Sequence, residues 1–92
     1  MPSFEERVAV KLARLEAWCL DNGVTVSAAG EVDEASACAL LSYTSRDALR
    51  HQAAEGRLSP VLRRRRCGPR WLYELESIAE EIVLAYERNA VS

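Results

Sequence analysis

The sequence lacks most of what catalytic or metal chemistry requires. Its 92 residues include one histidine, His51, and three widely spaced cysteines, Cys19, Cys38 and Cys67. This is not a disulfide framework, and no CxxC pair or Cys/His cluster is present to hold zinc. No Ser-His-Asp spacing, phosphate-binding loop or carboxylate pair accompanies the histidine. We therefore expect no metal, no cofactor and no enzymatic activity, with Cys19 and Cys38 in the core.

Long apolar runs and a basic leader are also missing. No run approaches the roughly 18 apolar residues of a membrane-spanning helix. The N-terminus carries acidic residues where a signal peptide carries basic ones. With 49% hydrophobic and 28% charged residues, residues 1–92 are predicted to form a single globular domain. These features predict a cytoplasmic protein without a membrane partner.

The charge is unevenly distributed along the chain. There are 12 basic and 14 acidic residues, a formal net charge of −2. Between Arg46 and Arg70, however, eight arginines are accompanied by only two acidic residues, and residues 63–66 are four arginines in a row. Local potential rather than net charge decides where a polyanion docks. This segment therefore predicts a surface that meets a polyanion.

Two long helices are predicted near the ends of the chain. Residues 3–22 open with the Ser-x-x-Glu spacing of a capping box and carry apolar residues every three or four positions. Residues 74–88 form the other helix, in which four apolar side chains share the predicted core face: Leu75, Ile78, Ile82 and Tyr86. Four apolar residues off these core faces predict a dimer interface: Val10, Trp18, Val83 and Leu84.

The middle of the chain predicts two short helices followed by a hairpin. Residues 34–41 form the first helix, and residues 46–56 form the second, after a hydroxyl N-cap at Thr44 or Ser45. Two short helices joined by a tight turn are the layout of a helix-turn-helix unit. Two short extended runs then surround Gly68-Pro69, which predicts a β-hairpin. Residues 24–26 have the composition of a further short strand.

Residues 32–82 resemble the small winged helix-turn-helix domains of the excisionase and MerR-like superfamily. Five features in order carry the resemblance: Leu40-Leu41, Ser45-Arg46, Glu55-Gly56-Arg57-Leu58, Arg70-Trp71 and the helix opening at YELESI. Ser42 stands where such domains usually have a turn glycine, and Gln52 where they often have an apolar residue. The implied fold is mainly α with a small β-hairpin wing. The winged helix-turn-helix would span residues 32–73, with extra N-terminal and C-terminal helices.

The resemblance also implies which residues contact DNA. In such domains the second helix lies in the major groove. This implies a phosphate contact for Ser45, and groove contacts for Arg46, Asp47, Arg50 and His51. Arg50 would pair with a guanine, because its planar fork matches O6 and N7 together.

The hairpin arginines would lie over the DNA backbone or in the minor groove. They are Arg63, Arg64, Arg65, Arg66 and Arg70. Because successive strand residues point to opposite faces, we expect about half of the run 63–66 to meet DNA. The others would either snorkel along apolar surface or pair with acidic residues of the flanks.

The leading hypothesis is sequence-specific binding of double-stranded DNA. The protein would be a phage, prophage or plasmid transcription regulator or an excisionase-like factor, associated with the nucleoid of a bacterial cell. One short recognition helix reads few base pairs, so we expect a homodimer or a cooperative oligomer on DNA. Two alternatives stay open. One is the DNA-recognition subunit of a terminase, and the other is a protein-interaction module, for example a phage inhibitor that docks an acidic partner through the arginine-rich hairpin.

Overall fold

Four helices and three strands follow one another along the chain. The computed structural model describes residues 2–91, and the side chains of residues 2–89. The elements are α1 (Phe4–Asp21), β1 (Glu31–Asp33), α2 (Glu34–Leu40), α3 (Arg46–Ala54), β2 (Arg64–Cys67), β3 (Arg70–Glu74) and α4 (Leu75–Val91). The four predicted helices are confirmed, with ends that differ by up to three residues. The strand predicted at residues 24–26 is wrong, because that segment pairs with no other strand and the third strand lies at Glu31–Asp33.

Three helices begin with a side chain that caps their first turn. Ser3 Oγ accepts the Glu6 N–H, Asp33 Oδ1 accepts the Ser36 N–H, and Ser45 Oγ accepts the Ala48 N–H. Each bond satisfies a backbone donor that has no partner within its helix. Of the two hydroxyls predicted to cap α3, Ser45 is therefore the N-cap.

The same three helices end in one backbone motif. The residue just after each C-cap has a positive φ: Gly23 (67°), Ser42 (62°) and Gly56 (70°). The next N–H then bonds back to a carbonyl of the last turn, from Val24 to Cys19, from Tyr43 to Cys38 and from Arg57 to Gln52. This is the Schellman pattern, which usually needs glycine at the positive φ. Ser42 is the exception.

The sheet is antiparallel and has the strand order β1-β3-β2. Tyr73 in the central strand lies opposite Val32 of β1 and Arg64 of β2. The predicted hairpin is confirmed, with Gly68-Pro69 at its tip. Gly68 has a φ of 62° and proline must follow with a negative one, which is the pattern of a two-residue type II′ turn.

The core lies between α1, α4, α2 and one face of the sheet. Its buried residues are Val8, Leu15, Cys19, Val32, Ala37, Cys38, Leu49, Tyr73, Leu75, Ile78, Ala79 and Val83. The buried positions predicted for Cys19 and Cys38 are confirmed, and burial raises the pKa of both thiols. The predicted core face of α4 is wrong at two positions. Val83 is buried beside Ala79, whereas Tyr86 is 75% exposed and lines a surface groove.

Candidate nucleic-acid interface

Helix α3 and the tip of the hairpin line one cleft of about 340 Å³. Arg46 and Arg50 come from the first two turns of α3, and Arg70 comes from the start of β3. The cleft is completed by Asp33, Glu34, Ala35, Pro69 and Trp71. Three of the arginines that the sequence nominated for DNA contact therefore share one surface depression, although about 20 residues separate Arg50 from Arg70.

The outward face of α3 carries the other nominated groove residues. Arg46, Asp47, Arg50 and His51 are exposed, while Leu49 is fully buried and fixes the opposite face of the helix in the core. Ser45 is also exposed, and its oxygen accepts the capping bond described above, so its hydroxyl hydrogen is still free to be donated. The helical period thus presents this set to solvent together.

Arg50 is tied to the adjacent helix by an ion pair. Its Nε donates to Oε1 of Glu34, the first residue of α2, over 2.9 Å. The Arg50 side chain is 58% exposed, but that of Glu34 is only 9% exposed. The second carboxylate oxygen, Oε2, is buried and has no hydrogen-bond partner among the described residues. A nearly buried carboxylate thus holds one edge of an exposed guanidinium.

His51 belongs to a small cluster at the end of α3. Its Nε2 lies 2.9 Å from Glu55 Oε1, and Arg57 Nε lies 3.1 Å from the other oxygen of the same carboxylate. Glu55 therefore has one basic side chain on each oxygen. The cluster lies at the opposite end of α3 from Arg46.

Two arginines of the run 63–66 lie on the Trp71 face of the hairpin. The Arg64 guanidinium carbon is 3.8 Å from the centroid of the Trp71 ring, and that of Arg66 is 5.8 Å away. These are cation–π distances. Arg66 also donates from Nε to the carbonyl of Gly68 at the tip, over 3.2 Å. Trp71 is half-buried and packs against the core.

The alternate arginines point to the other face and pair with carboxylates. Arg63 donates to both oxygens of Glu74, at 3.0 and 2.7 Å, and to both oxygens of Glu80, at 3.0 and 3.3 Å. These bonds raise the pKa of Arg63 further above its ordinary value. Arg65 Nε donates to Oε2 of Glu31 over 2.7 Å, and this bond lowers the pKa of Glu31. All three acidic partners lie outside residues 46–70.

The four residues predicted for a dimer interface are not equivalent. Val10 is 56% exposed and lines a groove of about 560 Å³ between α1 and α4. Trp18 packs against the core and is half-buried, as is Leu84. For Val83 the prediction of a side chain turned away from the core is wrong, because it is buried within the chain itself.

Sequence reasoning missed Glu34 as a member of the site. A glutamate directly after the N-cap is typical of any helix, because the first turn favours negative charge. Nothing at that position indicates a contact with a residue 16 positions further along the chain. Only the packing of α2 against α3 brings the two side chains together.

Comparison with known protein families, curated proteins and solved structures finds no match to this chain. No helix within residues 2–91 has the length and apolarity needed to cross a membrane. The described part of the chain also contains no group of three or more His, Cys, Asp or Glu side chains that could hold a metal ion. A functional assignment therefore rests on the site itself.

Proposed function

We propose that the chain is a winged helix-turn-helix protein that binds double-stranded DNA in a sequence-specific manner. Helices α2 and α3 would form the helix-turn-helix, α3 would be the recognition helix, and the β2–β3 hairpin would be the wing. The observation that carries the proposal is the shared cleft, where Arg46 and Arg50 lie beside Arg70. Cations on two separate elements then face one ligand. A DNA groove calls for this arrangement, because phosphates line both of its walls.

Each element has a distinct role in this proposal. The exposed face of α3 enters the major groove, where Arg50 pairs with a guanine. The Ser45 hydroxyl donates to a phosphate at the start of the same helix. Arg66 and Arg70 at the hairpin tip neutralise phosphates beside the groove. Arg63, already bonded to two carboxylates, contributes to the fold instead.

The turn between α2 and α3 supports the winged helix-turn-helix assignment. Ser42 has the positive φ that the turn glycine provides in excisionase and MerR-like domains, and the following Tyr43 closes the Schellman motif. Together with the resemblance of residues 32–82, this turn leads us to propose a regulator or excisionase-like factor of phage, prophage or plasmid type. It acts in the bacterial cytoplasm, at the nucleoid, and binds as a homodimer or cooperative oligomer.

Selection of bound sequences from a random DNA pool tests the proposal. The selected duplex is expected to bind on the order of 10³-fold more tightly than a scrambled one. If about four phosphates are neutralised, the logarithm of affinity falls with the logarithm of salt by roughly 0.9 per phosphate.

Two single substitutions complete this test. Arg50→Ala should remove most of the preference at one base pair. Arg88→Ala, on α4 and outside both the cleft and the α1–α4 groove, should change neither preference nor affinity. Absence of salt-sensitive DNA binding by the wild-type protein would contradict the proposal.

A second candidate function is docking on an acidic protein surface. The observation that favours it is the neutralisation of Arg63 and Arg65 by carboxylates, which leaves a smaller basic surface than four consecutive arginines suggest. A column experiment at about 0.5 M salt separates the two functions, because phosphate contacts are strongly screened there. Release from DNA with retention of a stoichiometric protein partner would favour this candidate.

A further inference from the structure

Arg50 is held by Glu34 through only one of its three guanidinium nitrogens. Nε donates to Glu34 Oε1 over 2.9 Å. Neither terminal nitrogen makes a hydrogen bond to another of the described residues, and the side chain is 58% exposed. The ion pair therefore engages the stem side of the guanidinium and leaves its outer two nitrogens free.

We infer that Glu34 is a positioning residue that sets the base preference of Arg50, an inference that rests on the proposed function. A guanidinium that reads guanine uses two neighbouring donors, one for O6 and one for N7. With Nε bonded to Glu34, the two terminal nitrogens are the donors that remain. The bond also fixes the plane of the guanidinium before DNA arrives, so less conformational freedom is lost on binding.

The position of Glu34 makes it a rigid support. It is the first residue of α2, directly after the N-cap Asp33, and its side chain is only 9% exposed. A carboxylate that is nearly buried, with one oxygen lacking a partner, is unfavourable for folding alone. Its place beside the one α3 arginine nominated for a guanine contact gives this residue a role in recognition.

Glu34→Ala is expected to lose base preference while it keeps its affinity for DNA of any sequence. Removing the carboxylate releases Arg50, so discrimination at the base pair that Arg50 reads should fall about tenfold or more. Affinity for a scrambled duplex should hold or rise, because one negative charge beside the phosphates is gone. A purely structural role would instead lower affinity for both duplexes together.

Two conservative variants separate reach from charge. Glu34→Gln keeps the acceptor oxygen at the same reach, and should retain most of the preference. Glu34→Asp keeps the charge but shortens the side chain by one methylene. Its base preference should be several-fold weaker than that of Glu34→Gln. Both are polar and should fold where Glu34→Ala fails, and thermal unfolding followed by circular dichroism checks this. The reverse order of Gln and Asp would overturn the inference.

The experiment measures binding of the selected duplex and of its single-base-pair variants. Arg50→Ala identifies the base pair concerned, and Glu34→Ala/Arg50→Ala should lose no more than Arg50→Ala alone, since the two residues act as a unit. Glu31→Ala is the matched control, because Glu31 is also a buried acid paired with an arginine, but at Arg65. Full preference in both Glu34→Ala and Glu34→Asp overturns the positioning role. Absence of any sequence preference in the wild-type protein overturns the proposed function instead.

Discussion

Ser42 is the residue whose local conformation conflicts most with its side chain. Its φ of 62° lies in the left-handed region, where a side chain meets the neighbouring carbonyl. The ends of α1 and α3 have the same positive φ, but at Gly23 and Gly56, which carry no side chain. The conflict follows from the tight turn between α2 and α3, which has to reverse the chain before Ser45.

We expect Ser42→Gly to stabilise the protein by roughly 0.5–1 kcal/mol. Relief of about 1–2 kcal/mol of left-handed strain is partly offset by the greater freedom of glycine in the unfolded chain. Urea unfolding followed by circular dichroism measures the change. Thr44→Gly, at an exposed position of the same turn without a positive φ, should destabilise instead. Equal effects at both positions would contradict the strain argument.

Glu31 gives a prediction for the pH dependence of stability. Its hydrogen bond to Arg65 lowers its pKa in the folded state, so ionised Glu31 stabilises the fold above the ordinary pKa of 4.5. That contribution is lost as the pH falls through the lowered value. The stability difference between wild type and Arg65→Gln should therefore be largest near neutral pH and shrink in acid.

Urea unfolding at several pH values between about 7 and 3 checks this. Arg66→Gln is the control, because Arg66 makes no ion pair with a carboxylate in the part of the chain that the structure describes. Its stability difference from wild type should not follow the Glu31 titration. A difference for Arg65→Gln that grows in acid would contradict the assigned pairing.

At the scale of secondary-structure elements, the sequence predicted the features that depend on residues close together along the chain. Apolar spacing located the two long helices, the hydroxyl N-cap located the start of α3, and Gly68-Pro69 located the hairpin. Strand β1 escaped prediction because its three residues form a strand only by pairing with β3, some 40 residues later. Residues 24–26 had the β-branched composition but pair with no strand. Pairing over long sequence distance leaves little trace in a short segment.

The candidate site divides in the same way. The resemblance nominated the groove residues of α3, and their shared exposure opposite the buried Leu49 agrees with the helical period. The acidic partners of the arginines could not be predicted, because each lies on another element. The alternation of side chains in β2 indicated that half of the arginines would turn away, but not that Glu31, Glu74 and Glu80 would receive them.

This alternation predicts opposite consequences for neighbouring arginines. Arg63→Ala should lower stability by up to about 1 kcal/mol, because it leaves Glu74 and Glu80 without a shared cation. The salt dependence of DNA binding should stay unchanged. Arg66→Ala should leave stability nearly unchanged and reduce the salt slope by about one. Urea unfolding and DNA titrations at several salt concentrations measure both effects, and an equal loss of slope in the two variants would contradict the division.

For the whole molecule, the same pairing reconciles a net negative charge with a basic cleft. Acidic residues of the flanks, such as Glu31, Glu74 and Glu80, bond the arginines on the face turned away from Trp71. Arg46 and Arg70 make no ion pair among the described residues, and both line the cleft. The cleft therefore has three arginines against Asp33 and Glu34, and its local field is not that of a chain with a net charge of −2.

The groove between α1 and α4 governs the last prediction, on assembly. Its apolar wall includes Val10, Ile82 and Tyr86. Lys11 and Arg14 also line it and make no ion pair among the described residues, whereas Arg7 pairs with Glu87 and Glu6 adds one negative charge. Two copies that met groove to groove would bring Lys11 and Arg14 of each copy close together, which opposes a dimer in free solution. DNA that binds two copies side by side supplies the missing attraction through effective concentration. We therefore expect a monomer in solution and cooperative binding to DNA with two adjacent sites.

Val10→Lys should reduce this cooperativity at least several-fold, because it replaces exposed apolar surface by a further cation in the groove. Affinity for a single site should not change, since Val10 lies away from the cleft. Leu20→Lys is the matched control, because Leu20 is 82% exposed on the same helix but does not line the groove. Sedimentation measures the oligomeric state, and titration of one-site and two-site duplexes measures cooperativity. If Leu20→Lys reduced cooperativity as much as Val10→Lys, another surface of α1 would join the copies and the groove would have no part in assembly.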